Sequence, residues 1–207
     1  MTRLIALLAF ALTLSACSTT DELNQIPEPM GRFLLGHNVV VVDNPEVGPL
    51  SREASDEEWK AAMEAAIDER FGRYDGDKYF HIAVKVDAYV LALPGIPVVA
   101  SPKSILIVSV TIWDDEKGIK LNDEPERFTV FEKLSGETAI SSGLTQSKEQ
   151  QMQNLTRNAA KKIHEWMLEN IEWFGDASLM DPATTSPGFP ANAARIDDAV
   201  TPTEPES

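Results

Sequence analysis

The 207-residue chain holds one cysteine, Cys17, and three histidines, His37, His81 and His164. A lone thiol allows no disulfide within one molecule and no cysteine-built metal site. No two of the histidines lie close in sequence, and none sits in an H-E-x-x-H frame, so no metal is expected. Basic residues are scarce too, with 18 Lys and Arg against 33 Asp and Glu. Nucleic acid is therefore excluded as a partner, because its binding relies on cations that neutralise phosphates. The same balance disfavours an anionic membrane face as a docking surface. Glycine-rich phosphate loops are absent, and no cofactor is expected. Beyond Leu14 no run approaches ~18 apolar residues, so no transmembrane helix is expected there.

Four local patterns suggest chemistry and fail on mechanics. Asp75-Gly76-Asp77 is followed by Lys78-Tyr79-Phe80, which lacks the further oxygen ligands of a calcium loop, and reads as a turn. Asp114-Asp115-Glu116 reads as a solvated hairpin tip that protects a sheet edge, and not as a catalytic carboxylate pair. Ala139-Ile140-Ser141-Ser142-Gly143 echoes a nucleophile elbow. The acid and His164 would then have to follow Ser141 within an interval that reads as helix. Asn154-Leu155-Thr156 matches a glycosylation acceptor but falls inside that helix, so it is set aside. No catalytic residue is expected, and the chain is read as a non-enzyme.

The amino terminus is more informative. Arg3 is followed by the 11 residues Leu4–Leu14, which are almost wholly apolar. That length suits a secretory signal and falls short of the ~20 residues that cross a bilayer. Leu14-Ser15-Ala16-Cys17 comes next. The segment resembles the lipobox of bacterial lipoproteins. The resemblance implies a signal peptide over 1–16, cleavage between Ala16 and Cys17, and a diacylglyceryl group (palmitate-type acyl chains) on the Cys17 sulfur. Two or three acyl chains give stable membrane anchoring. Ser18 in place of aspartate implies delivery to the outer membrane, facing the periplasm. Arg3 is the only charge in the first 16 residues, so the mature chain carries 17 basic and 33 acidic side chains, a net −16.

Residues 17–32, with Pro27 and Pro29, read as a lipidated tether. One domain is expected over 33–174. Val39-Val40-Val41-Val42 reads as a strand buried on both faces. Ser55-Asp56-Glu57-Glu58 is a capping box opening a helix over 56–71, with Gly72 as its stop. A long strand then alternates Phe80, Ile82, Val84, Val86, Ala88 and Val90 against His81, Lys85, Asp87 and Tyr89. A strand over Ile105–Trp113, a short one through Lys120 and one around Phe128–Phe131 follow. Ser147 caps the longest helix, whose apolar stripe runs from Met152 to Phe174 and stops at Gly175. His164 lies beside that stripe. Of the tryptophans, Trp59, Trp113 and Trp166 are assigned to the core and Trp173 to the surface. Residues 175–207 hold five prolines and six acids against Arg195 and read as a disordered acidic tail.

The expected fold is α+β: a mostly antiparallel sheet of four to five strands with two amphipathic helices packed on one face. In layout it is similar to small accessory lipoproteins of the cell envelope. The leading reading is a non-catalytic envelope module that binds a protein or lipid partner. Contact would be made through a sheet edge or through the Leu91–Ala100 loop, where Pro94, Gly95 and Pro97 leave Ile96, Val98 and Val99 near a hairpin tip. An alternative is a small-molecule or lipid carrier with a pocket lined by Val84, Val86, Met152 and Leu155. A hydrolase with an unrecognised site is the third reading.

Overall fold

In the computed structural model the described residues are 23–93, 104–132 and 146–176. Cys17, the expected tail over 177–207, and Ile96, Val98 and Val99 lie outside them. The elements run β1 (Phe33–Val47), α1 (Asp56–Phe71), β2 (Lys78–Val90), β3 (Ile105–Asp114), β4 (Ile119–Lys120), β5 (Glu126–Phe131) and α2 (Lys148–Glu169). A 3-10 turn over Ile171–Phe174 follows. The sheet has five strands. β1 pairs parallel with β2, and the β2–β3, β3–β4 and β3–β5 pairs are antiparallel. Both helices pack on the sheet and on each other. The chain is an α+β fold, as its element order implies.

Each helix starts where its first residues can satisfy orphan amides. Ser55 Oγ accepts from Glu58 N while the Glu58 carboxylate accepts from Ser55 N, and Ser147 and Gln150 repeat the exchange on α2. Lys148 Nζ donates to Glu58 Oε1 at 2.5 Å and ties the two N-termini together. The helix-facing side of the sheet carries Val40, Phe80, Ile82, Val84, Val86, Leu106, Val108, Val110, Ile112 and Val130, all buried. From α1 and α2, Trp59, Met63, Ile67, Phe71, Leu155, Ile163 and Met167 close on them.

Four sequence expectations need correction. Val39 and Val41 are 46% and 47% exposed. The helices cover one face of the sheet and no described element covers the other, so Val40 and Val42 turn toward α1 while Val39 and Val41 face outward. Continuous β-branched composition cannot by itself tell one covered face from two. Tyr89 turns inward because the register slips between Val86 and Ala88, and a bulge exchanges the faces of everything after it. Its hydroxyl donates to Ala54 O at 3.1 Å. Trp113 is 37% exposed whereas Trp173 packs against the core, the reverse of the assignment above. Finally, α2 stops at Glu169, and Asn170 precedes the separate 3-10 turn instead of continuing the helix to Phe174.

The packed body also begins before Phe33. Met30 is buried, and Arg32 Nε donates to Asp77 Oδ1 at 2.7 Å. Arg73 Nη1 donates to Leu23 O at 2.8 Å, and its Nη2 donates to Gln25 O. Much of the expected tether is thus a strap laid on the domain.

Candidate functional site

Alternation along each strand gives the sheet a second face, opposite the helices. Register brings together His37, Val39 and Val41 of β1, then His81, Ala83 and Lys85 of β2. Trp113, Thr111 and Ser109 of β3 continue the surface, with Arg127, Thr129 and Phe131 of β5 beyond. Among the described residues no element covers it. Val39, Val41, Tyr79, Trp113 and Phe131 are all large, apolar or aromatic, and exposed. Such a surface on a sheet is suited to contact with another macromolecule. The β1 edge adjoins it, with one side of its backbone unpaired by any described strand.

Within this face lies a histidine pair that the sequence did not bring together. The register slip between Leu35 and Asn38 places Gly36 and His37 against His81. A side chain at Gly36 would put its Cβ 2.5 Å from His81 Nδ1, so glycine is required there. His37 N donates to His81 Nδ1 at 2.8 Å, and His81 Nε2 lies 2.9 Å from Asp115 Oδ1. Both nitrogens of His81 are therefore engaged. With Nδ1 accepting, the neutral ring carries its proton on Nε2 and donates it to Asp115. That leaves no lone pair for a metal or for general-base work. Groups of three or more His, Cys, Asp or Glu suited to hold a metal are absent among the described residues.

The acids of the Asp114 turn are not a uniformly solvated tip. Asp114 is buried and accepts from Lys117 Nζ at 2.8 Å and Lys117 N at 2.9 Å. Burial alone pushes its carboxyl up, but the Lys117 hydrogen bonds outweigh that and hold it below the usual carboxylate range. Asp115 takes His81, and Glu116 takes Lys78.

A second cluster sits at the end of the sheet where β2 and β5 finish and α2 begins. Arg52 N donates to Leu91 O at 2.9 Å, and Arg52 Nη2 donates to Gln146 O at 3.2 Å. Gln151 Nε2 donates to Ala92 O at 3.3 Å, while Ala92 N donates to Ser104 Oγ at 3.2 Å. Glu132 is only 8% exposed, and its amide donates to Ser104 O. Burial raises the Glu132 pKa, partly offset by the Ser104 hydroxyl and Arg52. Glu132 Oε1, Gln151 Oε1, Gln146 Oε1 and Arg52 Nε have no hydrogen-bond partner among the described residues. Buried, incompletely paired polar groups with a shifted pKa make this cluster a candidate position for function. Sequence reasoning passed over all of them, because each is an ordinary polar residue in a different segment.

The third feature is at the opposite end. Tyr74 Oη lies 2.6 Å from His164 Nε2 and donates to Glu28 O at 3.0 Å. Burial pushes the Tyr74 phenol up to about 12. A groove of about 390 Å³ runs here between the strap and the helices.

Of the residues singled out from sequence, Ala16, Cys17, Ile96, Val98, Val99 and Ser141 fall outside the described residues. The Leu91–Ala100 segment begins in the core, since Leu91 and Ala92 are buried and Leu91 N donates to Ser51 Oγ at 2.9 Å. Val84, Val86, Met152 and Leu155 are members of the packed core and line none of the described cavities. Leu155 and Thr156 of the glycosylation pattern are buried on α2.

Comparison with known proteins finds no matching family model and no matching curated protein. Among solved structures, a Caulobacter crescentus protein provisionally described as a lipoprotein is 14% identical. The match covers 66% of this chain and 88% of that one, at a TM-score of 0.34. A minor lipoprotein of Acinetobacter baumannii is 12% identical over 69% of this chain and 96% of that one, at 0.29. A hypothetical protein of Chlamydia trachomatis is 9% identical over 68% and 99%, at 0.36. Likeness at this level places the chain in no family.

Proposed function

We propose that the chain is a lipid-anchored protein of the bacterial cell envelope, facing the periplasm from the outer membrane. Its domain is a non-catalytic module that binds a protein partner on the open sheet face. The anchor half of the reading rests on Leu14-Ser15-Ala16-Cys17 behind an 11-residue apolar segment. The binding half rests on one observation: the face opposite the helices is uncovered by any described element and carries Val39, Val41, Trp113 and Phe131 exposed. A protein that needed this domain only as bulk would gain solubility from polar residues there.

The non-catalytic assignment has its own support. His81, the best-placed histidine, spends both nitrogens on His37 N and Asp115. His164 Nε2, the base an elbow at Ser141 would require, is held by Tyr74.

The test is photo-crosslinking in cells that produce the lipidated protein. A crosslinking residue replaces Val41 or Thr111 on the open face, or Glu64 on α1. A discrete adduct at the first two and none at the third supports the reading. Adducts at all three, or at none, overturn it. Mass spectrometry of the amino-terminal peptide reports the anchor separately, by the mass of acyl chains on Cys17.

A further inference from the structure

The strap converts a long tether into a short one, and so fixes how the domain stands on a membrane. Arg73 holds the carbonyls of Leu23 and Gln25, and Tyr74 holds that of Glu28. Met30 is buried, and Arg32 N donates to Phe174 O at 3.0 Å. Only five residues separate Cys17 from Leu23, six residue-to-residue steps. Fully extended, they reach ~20 Å at ~3.3–3.6 Å per residue. A tether free to residue 32 would reach ~55 Å by the same rule and would leave the domain free to tumble. The clamped end is also one defined end of the fold. β1 and β2 start there, and β3 and α2 finish there. The Arg52–Glu132–Gln151 cluster lies at the other end of β2, whose 13 residues span ~43 Å at ~3.3 Å each.

The strap's own surface fits this placement. Ile26 is 94% exposed. It lines the same groove as Arg70, Arg73 and Lys161 and as Glu28 and Glu165, with Lys161 paired to Glu165, so an exposed apolar side chain stands among charged groups of both signs. That combination suits the boundary between acyl chains and headgroups.

We infer that the strap docks the domain on the bilayer that holds its own Cys17 lipid, with Ile26 at the headgroup layer. The open sheet face then stands sideways, and the Glu132 end points into the aqueous compartment. This rests on the lipid-anchor reading above.

The experiment uses the full lipidated chain in vesicles of phosphatidylethanolamine and phosphatidylglycerol containing doxyl-labelled lipid. Acylation occupies Cys17, so an introduced cysteine takes a thiol-reactive fluorophore. Glu165→Cys reports the strap end, and Glu57→Cys reports the first turn of α1; both positions are exposed. Emission should be lost at the first and retained at the second. Combining Arg73→Ala with Tyr74→Phe should bring the two labels together. A Gly-Ser insert of about 12 residues after Ser18 leaves the domain untouched and adds an r.m.s. span of ~20 Å. It should restore emission at the Glu165→Cys label. Equal quenching at the two labels in the wild type, or no response to the insert, overturns the inference. Flotation with the vesicles keeps the two ideas apart. Protein that floats with equal quenching refutes the docking alone, whereas protein that fails to float refutes the lipid anchor and the docking with it.

Discussion

Phe33→Ala should be the most damaging single truncation at the strap end. Phe33 is the first residue of β1 and is 1% exposed. Its ring lies 5.7 Å from Phe80 in a stack, 5.4 Å from Phe174, 5.6 Å from Tyr74 and 6.0 Å from Phe71. One side chain therefore joins β1, β2, the end of α1 and the final turn. Phe→Ala in a core costs about 3–5 kcal/mol. Four neighbouring rings and two paired strands resist collapse into the hole, which favours about 4 kcal/mol within that range. A domain of this size has a total stability of roughly 5–15 kcal/mol. Equilibrium urea unfolding read by tryptophan emission is the assay. With a slope of about 2 kcal/mol/M, the midpoint should fall by about 2 M. Phe131→Ala, on the open face and half-exposed, should shift it by less than about 0.5 M on the same slope. A Phe33 variant that behaves like the Phe131 variant would refute the idea that this ring knits the corner together.

Glu132→Gln tests the buried carboxyl at the other end. Because its pKa is raised on folding, the folded state keeps the proton to higher pH than the unfolded chain. Its contribution is fully present below the ordinary carboxylate value of ~4.3 and is lost as pH rises through the folded value. The glutamine variant should therefore match the wild type near pH 4 and exceed it at pH 8 in urea midpoint; parallel pH curves would dismiss the assignment. Gly31→Ala should lower the melting temperature by roughly 4–8 °C, for a loss of about 2 kcal/mol. Gly31 has φ +56° and a built Cβ would meet Gly175 O at 2.3 Å. An unchanged melting curve would mean that the two ends of the packed body are not joined as described. Trp113→Ser should change stability by less than about 1 kcal/mol at its exposed position while abolishing the open-face adducts. Unaltered adducts would move the partner's footprint elsewhere.

Local chemistry announced the helices. Ser55 with Glu58 and Ser147 with Gln150 are capping boxes whose two halves lie three residues apart, so sequence spacing alone places each start. The 2-residue period of Phe80–Val86 and the nearly continuous β-branched, apolar run of Ile105–Trp113 announced strands, and the order of elements implied an α+β sheet with helices on one side. Period failed where register slipped. The bulge between Val86 and Ala88 sent Tyr89 inward, and no residue in that stretch signals an extra position. The valine run of β1 also concealed its own exposure. Whether Val39 and Val41 are covered depends on whether a second layer packs on their face of the sheet, and that is a property of the whole chain.

The candidate sites divide in the same way. Sequence alone supplied the charge balance, the single cysteine at Leu14-Ser15-Ala16-Cys17, and the absence of any sequence-local catalytic frame, because each of these is written in neighbouring residues. Tertiary structure alone brought His37 to His81 across 44 positions and Arg32 to Asp77 across 45. It also assembled Arg52, Ser104, Glu132 and Gln151 from four separate segments. The strap belongs with these. Pro27, Pro29 and the polar residues around them have the composition of a free linker, and the carbonyl contacts made by Arg73 and Tyr74, just past the end of α1, together with buried Met30, turn it into part of the domain.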